Sequence, residues 1–433
     1  MKKIIALMIV TLTILSAFSS CDNEDTTTPT EIITFSQFTQ SVGSTNSATT
    51  TTAKPTVTTT STTRTTTTKK QTQNTTVATT KGTIRFSSSL ATKPQKSEEF
   101  DVGAVLTATQ LKIYNKILSA VKSFETLIDL GNVNKFDIMY AYSAVNKYNP
   151  SIFWVPQEFN FIKYSNGYNL KFSYKYTAEQ VQGMAQKIQS AVSDFQKKIN
   201  AHSDDYSITL AVHDALCEKI TYDNSFSDNS YNIYGALVEN KATCEGYSRA
   251  YQYLLSLYQI QSVLVSGQSN GNGHMWNKVC INGSWYNTDV TFDDADNIVN
   301  HFFLNRTDAE FSPNHTQDRY IKNDANSGIG NGMEFNFKLP ICVDTAANYY
   351  KNNNMMINNE SEFDSVISAA VSSEKSGTYE FGCGVSAGAF PQMNTTEYQT
   401  FQEKIVNAVR KATTKSFSIY GVPGALGFSL ILN

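Results

Sequence analysis

The sequence predicts an α+β protein. A helix carrying a cysteine packs on an antiparallel sheet carrying a histidine and an aspartate, with a small C-terminal α/β module and a disordered N-terminal tether. Three observations predict this arrangement. Between Ser44 and Thr80, 20 of 37 residues are threonine and none is Leu, Ile, Phe, Tyr or Trp. Such a stretch cannot bury enough apolar surface to offset the entropy of ordering it. Past Phe100 aromatic residues become dense and apolar residues recur at helix and strand periods. Finally, Asn282-Gly283 stands between two alternating runs, the strongest short-range hairpin signal.

The chain of 433 residues could hold two or three domains. Residues 1–20 read as an export signal: Lys2 and Lys3, an apolar run from Ile4 to about Phe18, then small residues. The run is too short and too N-terminal for a permanent membrane span. Phe18-Ser19-Ser20-Cys21 resembles a bacterial lipoprotein cleavage site, with Cys21 as the lipidated first mature residue and Phe18 standing where Leu is usual. The alternative is an ordinary signal peptide in which Cys21 is incidental. Residues 21–99 form the threonine-rich linker. Formal net charge is −3, and the scattered Lys54, Arg64, Lys69 and Lys70 are too sparse for a basic patch, so no nucleic-acid partner is expected.

Residues 100–205 read as an N-terminal α/β region. Leu111, Tyr114, Ile117, Leu118, Val121 and Phe124 recur at helical spacing. Residues 151–176 are rich in aromatic and β-branched types, with a turn at Ser165-Asn166-Gly167, and read as strands. A long helix follows, opened by the capping box Thr177-Ala178-Glu179-Gln180. Its apolar face is Val181, Met184, Ile188, Val192, Phe195 and Ile199. A further helix covers about 208–220. These stripes are read as core.

The chemistry lies in residues 206–330. After Cys244, the residues Tyr247, Ala250, Tyr251, Leu254, Leu255 and Tyr258 keep helical spacing, so a helix starts near Glu245 or Gly246 with Cys244 in its first turn. Unpaired N–H groups and the positive dipole end favour a thiolate there. Such settings bring a Cys pKa from ~8.5 into the range of roughly 3.5–7.5. If Asn282 and Gly283 form the hairpin loop, Ile281 pairs with Ser284, His274 falls opposite Thr291 and Asp289 opposite Trp276. His274 and Asp289 then point to one face as diagonal neighbours, about 7–8 Å apart at the backbone. A thiol to attack a carbonyl, an imidazole to move its proton and a carboxylate to fix the tautomer are what nucleophilic catalysis needs.

ALVENKATCEGYSRAYQYLL and GHMWNKVCINGSWYNTDVTFDD resemble the transglutaminase-like superfamily of papain-type folds, in its bacterial exported branch. The likeness covers about residues 206–320 and rests on Cys-x-Gly-Tyr, Gly-His-x-Trp-Asn and Trp-Tyr-x-x-Asp. It implies a papain-like core with Cys244 as nucleophile, His274 as general base and acid, and Asp289 as the residue orienting the imidazole. It also implies a structural role for His315, in the closing segment, and a shielding or packing role for Trp276. The backbone N–H of Cys244 is one oxyanion donor. Tyr222 and Asn232 lie upstream as candidates for the second, with core or turn roles as the alternative.

No cofactor and no metal are expected. No calcium-binding loop pattern appears, and the spacing of Cys217, Cys280, Cys342 and Cys383 matches no zinc site. These four are read as free thiols or as one of three disulfide pairings. Residues 331–433 suggest helices near 361–373 and 397–413 and strands near 378–382, 417–420 and 427–432. GVPGALGF lies between strands with no Lys-Ser/Thr after it, so a phosphate loop is not expected. The expected function is a cell-envelope-anchored cysteine enzyme cleaving or transferring peptide or amide acyl groups through a thioester. Hydrolysis is favoured over cross-linking, on a protein or peptide substrate, cell-wall peptide included. The alternative is a non-catalytic cell-surface binding or scaffold protein.

Overall fold

The computed structural model describes residues 31–36, 102–295, 298–318, 339–372, 375–391 and 395–433. The signal-like segment, Cys21 and the rest of the 21–99 linker lie outside the described residues. Within that linker, β1 (Glu31–Ser36) is an ordered strand. EIITFS lies ahead of the threonine run and carries the β-branched and aromatic residues that pleated pairing favours. The first unit continues with α1 (Ala108–Ser123), β2 (Leu127–Gly131), α2 (Lys135–Tyr148), β3 (Glu158–Tyr164) and β4 (Gly167–Phe172). Its sheet runs β1-β3-β4-β2, antiparallel throughout. Thr107 and Gln110 close a capping box at the start of α1.

Two local readings change here. Pairing begins at Glu158, opposite Ser36, and not near Ser151, because Pro156 has no N–H to contribute to a ladder. Ile152, Phe153, Trp154 and Val155 are buried all the same, and Trp154 Nε1 donates to the Val121 carbonyl at 3.0 Å. The helix α2 has no counterpart in the sequence reading. Nearly every turn of it is buried, from Ile138 to Asn146, so no apolar stripe separates it from a buried strand run.

After α3 (Ala178–Ile199), which starts at the expected capping box and buries Val181, Ile188, Val192, Phe195 and Ile199, the chain enters the second unit. It comprises α4 (Asp205–Lys219), β5 (Thr221–Tyr222), a π-helical turn (Gly235–Glu239), β6 (Lys241–Ala242) and α5 (Cys244–Ser256). Then come β7 (Ser262–Ser269), β8 (Asn272–Ile281), β9 (Ser284–Thr288), α6 (Val290–Asp293), β10 (Asp294–Ala295), β11 (Ile298–Val299), α7 (Asp308–Phe311) and β12 (His315–Gln317). The sheet order is β12-β7-β8-β9, and α5 packs on β7 and β8. One apolar cluster runs from Leu106 to Ala347, across the boundary placed at 205/206.

The Asn282-Gly283 hairpin has the expected register. Ile281 faces Ser284, Val279 faces Tyr286 and Asn277 faces Thr288, with Asn282 and Gly283 both at positive φ. The ladder ends at Thr288, so His274 and Asp289 are not diagonal partners in it. Instead Asp289 caps α6, its Oδ1 accepting from the N–H groups of Thr291 and Phe292 at 3.0 and 3.3 Å. A carboxylate at this position satisfies the orphan donors of a new helix better than it continues a strand.

The C-terminal module contains α8 (Tyr349–Asn352), β13 (Met356–Ile357), α9 (Phe363–Val371), β14 (Gly377–Cys383), α10 (Thr396–Ala412), β15 (Phe417–Tyr420) and β16 (Gly427–Leu432). Its sheet runs β13-β14-β16-β15, with α9 and α10 packed together over a separate apolar cluster. The module is fastened by polar contacts. Arg306, 1% exposed, donates from Nη2 to the carbonyls of Cys383 and Leu426 at 3.2 and 3.0 Å. Ser429 Oγ donates to Asn300 Oδ1 at 3.1 Å. Cys217, Cys280, Cys342 and Cys383 are all free thiols. Among the described residues no helix is long and apolar enough to cross a membrane.

Candidate active site

Cys244 is the first residue of α5 and is buried. Thr243 precedes it at the N-cap, but its hydroxyl turns away to the Ser230 carbonyl at 3.2 Å, so the first turn has no side-chain cap. Backbone N–H groups there are therefore left to face a ligand. The motif residues around the sulfur have physical roles. A Cβ on Gly246 would stand 2.2 Å from the Ser230 carbonyl oxygen, so only glycine lets that loop lie against the helix start. Tyr247 donates its hydroxyl to Asp294, tying α5 to the segment after Asp289. Glu245 and Arg249 form a buried ion pair at 2.8 Å, and Arg249 also holds the Asn146 carbonyl and side chain at 2.8 Å.

His274 comes from β8 and is fully shielded at its side chain. Polar stitches fix that strand to the helix: Ser248 Oγ donates to the Met275 carbonyl at 3.0 Å, and Asn277 Nδ2 to the Ser248 carbonyl at 3.1 Å. His274 Nε2 meets Asp289 Oδ2 at 2.5 Å. Its other nitrogen, Nδ1, is buried and makes no closed hydrogen bond. The Cys244 thiol lies beside the ring, near enough to act on its charge. The structure thus brings together all three residues named from the sequence.

A further residue joins them. His315, read from the sequence as structural, meets the same Asp289 Oδ2 through its Nε2 at 2.9 Å. Its Nδ1 faces the Asn314 amide at 2.6 Å. β12 positions it, pairing His315 with Ser269 on β7 beside the strand that carries His274. No local pattern announces this contact, which spans 26 residues of sequence.

The electrostatics follow from burial and this shared oxygen. Burial opposes charge on Asp289, but the two imidazoles override it and hold the carboxyl well below its usual range. Burial likewise opposes charge on His274, yet the Asp289 carboxylate and then Cys244 raise its pKa to about 10. Burial wins at His315, which is held below its ordinary value and is the neutral ring of the pair. Trp276 stacks at 6.2 Å from His274 and meets His315 edge-on at 5.0 Å, while Phe292 lies 4.5 Å from His274. These rings keep bulk water from the charged pair.

The two candidate oxyanion donors separate. Asn232 Oδ1 accepts from the N–H groups of Tyr234 and Gly235 at 2.8 and 3.3 Å, a turn role. Tyr222 is paired with Ala242, two residues before Cys244. Burial raises its phenol pKa, and the Cys244 thiol adds to the rise.

Residues 193–290 match the sequence profile of the Transglutaminase-like superfamily. That stretch, from the end of α3 to just past Asp289, is transglutaminase-like. No curated protein matches the sequence. Three solved structures are similar to parts of the chain. A candidate cysteine protease from Cytophaga hutchinsonii is 11% identical over 30% of this chain and 56% of its own, with a TM-score of 0.22. A TGase is 14% identical over 37% and 48%, with a TM-score of 0.24. A candidate protease from Parabacteroides distasonis is 9% identical over 30% and 33%, with a TM-score of 0.20. The chain spans about half or less of the length of each.

Proposed function

From a transglutaminase-like core we propose a cysteine enzyme that opens peptide or amide bonds through a thioester on Cys244, with water as the usual acceptor. The observation that carries this reading is the 2.5 Å contact of His274 Nε2 with Asp289, with Nδ1 left without a hydrogen-bond partner and the Cys244 thiol beside the ring. In the first half, Cys244 Sγ attacks the amide carbonyl carbon, the C–S bond forms and the C–N bond breaks. The thiol proton passes through His274 Nδ1 to the leaving amine. In the second half, water attacks the thioester, His274 takes its proton, and the acid departs as the thiol is restored. The uncapped first turn of α5 receives the oxyanion.

Hydrolysis is favoured over cross-linking because water is always present, whereas transfer needs an organised amine site. The same reading places the enzyme outside the cell, lipid-anchored through Cys21 on the outer face of a bacterial membrane, with protein or cell-wall peptide as substrate. Its support is the Lys-apolar-small-Cys layout of residues 1–21.

The test is a peptide-library screen on the wild type and Cys244→Ala, with and without a labelled amine. Cleaved peptide and a trapped acyl-enzyme only in the wild type support the reading, and label incorporated in place of hydrolysis moves it to transfer. No acyl-enzyme and no turnover across the library would replace it with a cell-surface binding protein.

A further inference from the structure

A second group of titratable side chains lies apart from Cys244. His213, on α4, is fully buried and places Nδ1 2.9 Å from Asp214 Oδ1 and Nε2 3.1 Å from Asp293 Oδ2. His301 places Nε2 3.1 Å from the same Asp214 Oδ1 and Nδ1 3.0 Å from Glu380 Oε2 on β14. Three carboxylates thus face two imidazoles. The inward nitrogens converge on one carboxylate, and each outward nitrogen meets a different one. Ligating histidines in metal sites show this second arrangement, donating the far N–H to a carboxylate that fixes the tautomer.

We propose that His213 Nδ1, His301 Nε2 and the Asp214 carboxylate bind a divalent transition metal of the zinc class, with Asp293 and Glu380 orienting the two rings. The three ligand atoms lie within 4.8 Å of one another. Around a tetrahedral zinc with bonds of ~2.0 Å, ligand atoms stand about 3.3 Å apart. The contacts of 2.9 and 3.1 Å therefore need to open by only a few tenths of an ångström. The Asp214 side chain is 36% exposed, which leaves a solvent path for water as a further ligand. Close by, a cleft of about 430 Å³ is lined by Ile298, Val299, Tyr349 and Glu380. His274, Asp289 and His315 also crowd three possible ligand atoms together. There, however, neither outward ring nitrogen meets a carboxylate: His274 Nδ1 makes no hydrogen bond and His315 Nδ1 meets Asn314. The sequence reading names no metal because the pair His213-Asp214 and His301 are 87 residues apart and match no spacing pattern. Bound metal would join α4, the segment after α6 and, through Glu380, the C-terminal module.

The test uses the full-length chain stripped with a chelator and titrated with Co²⁺, then with Zn²⁺ in competition. The expected result is one high-affinity cobalt per chain, with visible d–d bands and no thiolate-to-cobalt charge-transfer band. Binding persists in Cys244→Ser and in His315→Gln. It weakens at least about 10-fold in Asp214→Asn and His301→Gln, and about 10–100-fold in Glu380→Gln, the range of outer-shell losses. The near-isosteric Asp214→Asn and Glu380→Gln keep the test valid if a histidine variant does not fold, as circular dichroism of the metal-free forms will show. No cobalt bound would overturn the proposal. So would a thiolate band lost in Cys244→Ser, or affinity unchanged in both Asp214→Asn and Glu380→Gln.

Discussion

His274 and His315 meet the same oxygen of Asp289, at 2.5 and 2.9 Å. The other oxygen is taken by two backbone N–H groups of α6. The carboxylate is therefore saturated and cannot turn, and the orientation of the His274 ring is fixed with it.

Asp289→Asn is expected to lower kcat/KM by about 10²–10⁴-fold, the usual worth of a general acid–base system. Asn keeps the cap on α6 through its carbonyl oxygen, but its amide nitrogen then faces both Nε2 atoms and disfavours the tautomer with the proton on Nε2 of His274. The pH profile checks the cause. Protonated His274 is the form that supplies the leaving group, it persists below its folded pKa of about 10, and it is lost as pH rises through that value. The alkaline limb should move to lower pH in Asp289→Asn. An unmoved limb would show that Asp289 does not set the His274 charge.

His315→Phe should cost about 1.5–3 kcal/mol of stability, the worth of a hydrogen bond to a charged group. Phe suits the surrounding rings of Trp276, Phe303 and Phe311, so a packing role alone predicts that Phe is tolerated better than Gln. The shared-carboxylate role predicts the reverse, because Gln keeps a donor. Chemical denaturation of both variants decides between them.

Gly246→Ala should destabilise by about 1–3 kcal/mol through overpacking against backbone, since its Cβ would meet the Ser230 carbonyl at 2.2 Å. Displacement of the first turn of α5 also moves Cys244, so turnover should fall by more than the loss of folded protein explains. Activity per folded molecule is the measurement.

Arg249→Ala should cost about 3–5 kcal/mol, because it leaves Glu245 charged and unpaired inside the protein. The double variant Glu245→Met with Arg249→Met should be less destabilised than Arg249→Ala. Thermal midpoints of the two variants test this. A double variant worse than the single would show that the contacts to Asn146 matter more than the charge pair.

The parts legible in the sequence are those decided over a few residues. The capping box at Thr177, the Asn282-Gly283 loop and the start of α5 all depend on neighbours within one or two turns. The hairpin register reaches only to Thr288, and the contact of Asp289 with His274 arises because the strand stops there and the carboxylate caps α6. His315 and the His213–His301 group depend on contacts between distant segments, up to 87 residues apart. Periodicity carries no signal for such pairings. Helix α2 escaped for the opposite reason, since burial on nearly all sides erases the amphipathic stripe.

The strand Glu31–Ser36 lies at the edge of its sheet and pairs with Glu158–Tyr164, more than a hundred residues later. A protease cut between residues 37 and 101 would therefore part the chain without at once parting the molecule. The nicked pieces should travel together on a native sizing column and separate under denaturant. Six residue pairs on one edge form a weak clasp, so the N-terminal piece would be lost at a rate set by strand dissociation and not by the cut itself.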